Sequence, residues 1–212
     1  MVLSASIEDY AKAIYVLEER HGVASTTALA DRLEISPPAV SAMVKKLAAL
    51  GYVTHVRYRG VRLTDEGRKV ALEVLRHHRL LETYLVEELG VPWDRVHAEA
   101  EVLEHVLSEG LEERIAAKLG EPTHDPHGDP IPTPDGTVVE PETVGLDALA
   151  AGDRGRFVRV SDSDPKLLRE LADLGIRPGD QLEVVAGGVR AGSATHRLRR
   201  KLARSMRIEV SP

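Results

Sequence analysis

The chain has 212 residues and no cysteine, which excludes disulfides, thiolate metal sites and a thiol redox switch. Its formal net charge of -6 argues against general nucleic-acid binding, and no apolar run approaches the ~20 residues of a membrane span. The length suits two or more domains, and the N-terminus lacks the charged, apolar and small-residue succession of a signal peptide, so the cytoplasm is the expected compartment.

Ile7, Tyr10, Ile14 and Leu17 stand at helical spacing and predict a first helix with Ser6 as its cap, ended by His21-Gly22. Asp9 lies to one side of that apolar stripe. A short helix over Thr27 to Leu33 and the turn Glu34-Ile35-Ser36-Pro37-Pro38 follow. Ser36 is placed to cap a second helix, whose first turn tolerates proline. In it Val40, Met43, Val44 and Leu47 point inward, leaving Ala39, Ser41, Ala42, Lys45 and Lys46 outside. Small and hydroxyl residues followed by lysines suit a recognition helix entering a major groove. Tyr52 to Tyr58 alternates as a strand, Arg59-Gly60 turns, and Val61-Arg62-Leu63 returns. Two helices and a basic hairpin in this order predict a winged helix-turn-helix. From Ser25 to Thr64 six basic residues oppose two acidic ones, a local excess of cations in an acidic protein.

A long helix is predicted from Thr64 to about Leu89, carrying His78 and Glu82 at i, i+4. The next, from Trp93 to Ser108, carries His97, Glu101, Glu104 and His105 along one face, with Val96, Ala100, Leu103 and Leu107 opposite. Packed carboxylates repel, and a divalent cation relieves that repulsion. Oxygen and imidazole ligands suit Mn²⁺, Fe²⁺ or Zn²⁺, with carboxylates favouring harder ions such as Mn²⁺. Leu111 to Leu119 is a further helical piece, and these helices are expected to form a bundle with a dimer surface. Six of the twelve prolines fall between Glu121 and Glu142, marking a connector that also carries His124, Asp125, His127 and Asp129. Beyond Val144 the pattern turns to β: strands at Arg156–Val160, Leu182–Val185 and Arg207–Val210, and an amphipathic helix over Pro165–Leu174, fit a small SH3-like barrel. An enzyme is the competing class, as a metal-dependent hydrolase, but HExxH is absent, no Ser/His/Asp set is suggested by spacing, and no glycine-rich phosphate loop precedes a helix.

Glu8-Asp9-Tyr10 with Ile14-Tyr15, the Ser36-Pro37-Pro38 helix, His78-Arg79-Leu80, and Val96-His97 with Glu104-His105-Val106-Leu107-Ser108 resemble the metal-dependent repressors of the diphtheria toxin repressor family and the manganese transport regulators. The fold expected is mainly α with a small β part. It comprises a winged helix-turn-helix over residues 1–73, a helical metal-binding and dimerisation domain over 74–140 with its proline-rich linker at 121–142, and an SH3-like, FeoA-like domain over 143–212. The resemblance implies a primary metal site of Asp9, Glu101, Glu104 and His105. It implies a secondary site of His78, Glu82 and His97, assisted by Asp125 and His127 and by Asp162 or Asp164. Iron-responsive members carry methionine and cysteine where this chain has Asp9 and Glu101, so it resembles the manganese branch. Lys12 replaces a glutamate of the short manganese regulators, implying two separated sites rather than a close two-metal cluster. The expected cofactor is Mn²⁺, with Fe²⁺ the alternative and Co²⁺, Zn²⁺ or Cd²⁺ able to substitute in vitro. The expected partners are double-stranded operator DNA and a second copy of the chain, with one or two dimers per operator, and neither a membrane nor a small-molecule substrate. DNA contacts are expected from Thr27, Ser36, Pro37, Pro38, Ala39, Ser41, Ala42, Lys45 and Lys46, and from Arg57 and Arg59 of the hairpin.

Overall fold

A computed structural model describes residues 3–210. The chain divides into two compact units, one reaching His77 and including Pro132–Thr137, the other made of His78–Ile131 and Val138 onward.

In the first unit α1 (Ala5–His21), α2 (Thr26–Leu33) and α3 (Pro37–Ala49) precede a hairpin of β1 (Val53–Val56) and β2 (Gly60–Leu63) and the start of α4 (Asp65–Glu87). Ser4, not Ser6, occupies the cap position of α1, and Gly22 closes that helix in the left-handed region. Ser25 caps α2 by accepting from the Ala28 amide at 3.1 Å. Ser36 stands at the cap of α3 without a side-chain bond, and Pro37 fills the first helical position. Ile14, Leu29, Val40, Leu47, Val53 and Val61 meet in one core. Each such aliphatic side chain contributes about 1.5–3 kcal/mol by leaving water. The β1–β2 turn occupies residues 57–59, with Tyr58 at φ 61, rather than the expected Arg59-Gly60, and Gly60 already belongs to β2. Gly60 allows β2 to press against the loop after α1, since a Cβ there would lie 2.0 Å from the Ala24 carbonyl oxygen.

In the second unit α4 continues to Glu87, followed by α5 (Val96–Leu103), a 3-10 turn over Glu104–Val106 and α6 (Glu109–Lys118). The single helix expected from Trp93 to Ser108 is thus shorter and broken. Pro92 accepts from the amides of Arg95 and Val96, so Trp93 belongs to the turn before α5. Leu80, Leu81, Ala100, Ile115, Ala116 and Ile131 form the helical core. The β part is one six-stranded antiparallel sheet in the order β3 (Val144–Gly145), β8 (Met206–Val210), β4 (Arg154–Val160), β5 (Gln181–Val185), β6 (Gly188–Ala191) and β7 (Ala194–His196). Its inner face, with α7 (Pro165–Leu174) and α8 (Arg200–Ser205), encloses Phe157, Leu168, Leu171, Ile176, Leu202, Met206 and Ile208. A bulge between Phe157 and Arg159 shifts the β4–β8 register, bending the strand where the linker joins it. There Val160 N–H donates to the His127 carbonyl oxygen at 2.9 Å.

Candidate metal centre

Four elements of the second unit send ionisable side chains to one place: α4 supplies His78 and Glu82, α5 supplies His97 and Glu101, the linker supplies His127, and the turn after β4 supplies Asp162. His78 and Glu82 share a face of α4 because four residues make one helical turn. Glu82 and His127 are almost wholly buried, whereas His97 is half exposed.

The atoms converge too closely for protons alone to account for them. His97 Nδ1 lies 3.0 Å from His78 Nε2, 3.1 Å from Asp162 Oδ2 and 3.3 Å from Glu82 Oε1. One ring nitrogen carries at most one hydrogen, so it cannot donate to all three. His78 Nε2 also meets Glu82 Oε1 at 3.1 Å, while its Nδ1 donates to Glu104 Oε2 at 2.5 Å. His127 Nδ1 is buried without a hydrogen-bond partner, 3.6 Å from Glu82 Oε2. Two neighbouring groups of ligand atoms result within this unit, His78–His97–Glu101 and Glu82–His127–Asp162, each with its atoms within 4.8 Å of one another. A carboxylate and imidazole set with an unpartnered nitrogen fits a divalent transition ion without sulfur.

The local field is that of anions held by imidazolium. Burial opposes ionisation of Glu82, but the His78 charge and contacts from His127, His78 and His97 outweigh it and hold its carboxyl well below the usual range. Asp162 is likewise opposed by burial and lowered by its bond from His97. His97 is pushed up to about 10 by hydrogen bonding to Asp162 and then Glu82. For His127 burial works against the charge, yet Glu82 and Asp125 raise it to about 9. A divalent ion held by Glu82, His97, His127 and Asp162 would take the place of these protons, so its uptake would be pH-dependent.

The remaining expected ligands have other surroundings. Glu101 stands 3.6 Å from His97 Nε2 and 3.9 Å from His78 Nδ1, so within this unit it joins the secondary group. Glu104 is buried on His78 and lies 3.6 Å from His105 Nε2, both residues on the 3-10 turn. Asp9 is on α1, in the first unit. The Asp125 carboxylate shapes the linker, accepting from the amides of His127 at 2.8 Å and Asp129 at 2.9 Å, and burial raises it well above the ordinary range. Asp164 caps α7 through the Lys166 amide and pairs with Lys201 at 2.6 Å, so it lies outside both groups. Arg79 and Arg159, to which the sequence pattern assigns no part in the site, bracket Asp129 at 3.7 and 3.2 Å. They bind across 50 and 30 positions of chain and leave no local pattern.

On the first unit Thr27, Ser36, Pro37, Pro38, Ala39, Ser41, Ala42, Lys45 and Lys46 are all exposed, while Val40, Val44 and Leu47 of the same helix are buried. Arg57 and Arg59 flank the exposed Tyr58 at the hairpin tip, with the Arg57 guanidinium 4.8 Å from its ring centre. The sequence Arg57-Tyr58-Arg59 carried that aromatic in plain view among cations.

A winged helix head on a chain that also holds a carboxylate and imidazole cluster defines a DNA-binding regulator rather than an enzyme. Residues 2–61 match the family described as iron dependent repressor, N-terminal DNA binding domain, residues 64–133 its metal binding and dimerisation domain, and residues 144–210 the FeoA domain. The iron-dependent repressor IdeR of Mycobacterium leprae is 37% identical over 190 residues, covering 84% of this chain and 82% of that protein. The diphtheria toxin repressor of Corynebacterium diphtheriae is 33% identical over 188 residues, covering 84% and 83%. A solved manganese-dependent transcriptional repressor in complex with manganese is 43% identical at a TM-score of 0.87, covering 97% of this chain and 100% of that one. The chain belongs to the diphtheria toxin repressor family of metal-dependent transcriptional repressors. No helix among the described residues is long and apolar enough to cross a membrane.

Proposed function

We propose that this chain is a homodimeric repressor of metal-uptake genes that binds operator DNA when loaded with Mn(II). The convergence of imidazole and carboxylate atoms on His97 Nδ1 carries the metal reading, and the sulfur-free ligand set favours a hard ion. The primary site is Asp9, Glu101, Glu104 and His105, assigned on the family resemblance; the secondary site is built from His78, Glu82, His97, His127 and Asp162. The resemblance implies that Asp9 of α1 would join Glu101, Glu104 and His105 in holding the ion, and that its uptake would favour the arrangement in which two recognition helices of a dimer reach successive major grooves. Val102 and Val106, 72% and 77% exposed, with Leu111 at the start of α6, offer an apolar surface suited to a second copy. Identity to the iron-dependent repressors supports a second reading, a Fe(II)-dependent repressor of iron-acquisition genes.

The test is selection of duplexes from a random pool by the Mn²⁺-loaded protein. Binding to the selected operator is then measured at matched free Mn²⁺ and, without oxygen, Fe²⁺. Activation at lower free Mn²⁺ supports the first reading and activation at lower free Fe²⁺ the second. Equal operator affinity with and without chelator refutes both.

A further inference from the structure

The two nitrogens of the fully buried His127 are not equivalent. Nε2 lies 2.8 Å from the Trp93 carbonyl oxygen, which can only accept, so Nε2 carries a hydrogen. Nδ1 is the unpartnered atom that faces Glu82. The Trp93 indole stacks on the same imidazole, centroids 5.7 Å apart and planes inclined by 18°. The indole in turn lies beneath the Arg177 guanidinium, 4.0 Å from its ring centre. Arg177 comes from the loop between α7 and β5, so guanidinium, indole and imidazole make a column running from the β part of this unit to the ligand atoms.

We propose that Trp93 and Arg177 are positioning residues for the metal centre: the Trp93 carbonyl fixes the tautomer in which His127 Nδ1 is the ligand atom, and Arg177 holds the indole against the imidazole. This rests on the metal reading of Glu82, His127 and Asp162. A histidine with its second N–H held by a carbonyl presents one defined lone pair, and partners of this kind typically contribute 10–100-fold to metal affinity. The carbonyl also keeps Nε2 from coordinating. The cation over the indole face is a further, weaker restraint.

Trp93 is the only tryptophan, so its emission reports the column directly. The full-length protein, stripped with chelator, is titrated with Mn²⁺ while that emission is followed. A saturable change is expected, which Glu82→Gln suppresses. Arg177 is exposed, so Arg177→Leu leaves the core intact; it is expected to weaken the Mn²⁺ midpoint about 2–5-fold, the size of an exposed cation–π contact, and Arg177→Lys to recover part of the loss. In ¹⁵N-histidine spectra with diamagnetic Cd²⁺, His127 Nε2 should stay protonated while the Nδ1 resonance shifts. A shift of Nε2, or a midpoint unchanged by Arg177→Leu, overturns the proposal. If equilibrium dialysis shows that Glu82→Gln takes up as much Mn²⁺ as the natural chain, the metal reading fails and the proposal falls with it.

Discussion

Removing Lys45 tests the DNA face quantitatively. Lys45, Lys46, Arg57 and Arg59 are exposed on α3 and the hairpin of each head. Arg62 is excluded, because its Nε donates to the Gly22 carbonyl oxygen at 2.7 Å. If each of the four neutralises one phosphate, a dimer neutralises about eight, and at ~0.9 per phosphate the logarithm of affinity falls by about 7 per decade of salt. Between 50 and 200 mM salt that is a loss of roughly 10⁴-fold. Lys45→Ala deletes two contacts per dimer, so the slope should become shallower by about 1.8. The assay is fluorescence anisotropy of labelled operator with Mn²⁺-saturated protein across a salt series, repeated on duplexes altered one base pair at a time. A weakening common to all sequences marks a phosphate contact. An unchanged slope, or a loss confined to one base position, refutes the assignment.

Asp9→Ala and Glu104→Gln should each abolish metal-stimulated operator binding with the far-ultraviolet circular dichroism unchanged, whereas His97→Ala should only weaken it; undiminished stimulation in the first two removes the primary site. For the metal-free protein the sign of the pH dependence follows from His127, whose pKa rises from 6.5 to about 9 on folding. That contribution, about 3 kcal/mol, is complete below pH ~6.5 and lost as pH climbs through ~9. The half-exposed His97 acts in the same direction with a smaller, solvent-screened share. Urea unfolding in chelator at pH 6.5 and 9.5 checks this, and stability that is flat or rises would contradict it. Gly128→Ala introduces a Cβ 1.9 Å from the Val158 carbonyl oxygen at φ +87, so the linker must leave β4. Mn²⁺ uptake by the secondary group should fall at least ~10-fold, as expected when a ligand loses its support. Dialysis reads the outcome, and uptake equal to that of the natural chain would show that the linker does not hold His127.

The winged head was legible because each of its features is local. Val40, Val44 and Leu47 set the buried face of α3, Pro37 its start, and the alternation of β1 its strand. The helix over Pro165–Leu174 was equally plain, framed by Asp164 at its cap and Gly175 at its end. Two regions were not. Between Ala186 and Ser205 short, arginine-rich segments form β6, β7 and α8 without sustained alternation, their pairing set by the neighbouring strands. The stripe from His97 to His105 reads as one face of an ideal helix, but α5 tightens at Glu104, whose carboxylate bonds to His78. His97 and Glu101 therefore group with α4, the linker and Asp162, contacts spanning up to 65 positions that periodicity does not encode.

Metal and operator binding must be reciprocal if a divalent ion switches this protein. The most direct measurement is the free Mn²⁺ concentration, read by electron paramagnetic resonance, at which the protein half-saturates with and without excess operator. Operator should lower that concentration by the same factor by which Mn²⁺ tightens operator binding. Identical Mn²⁺ isotherms in the presence and absence of DNA would contradict the switch.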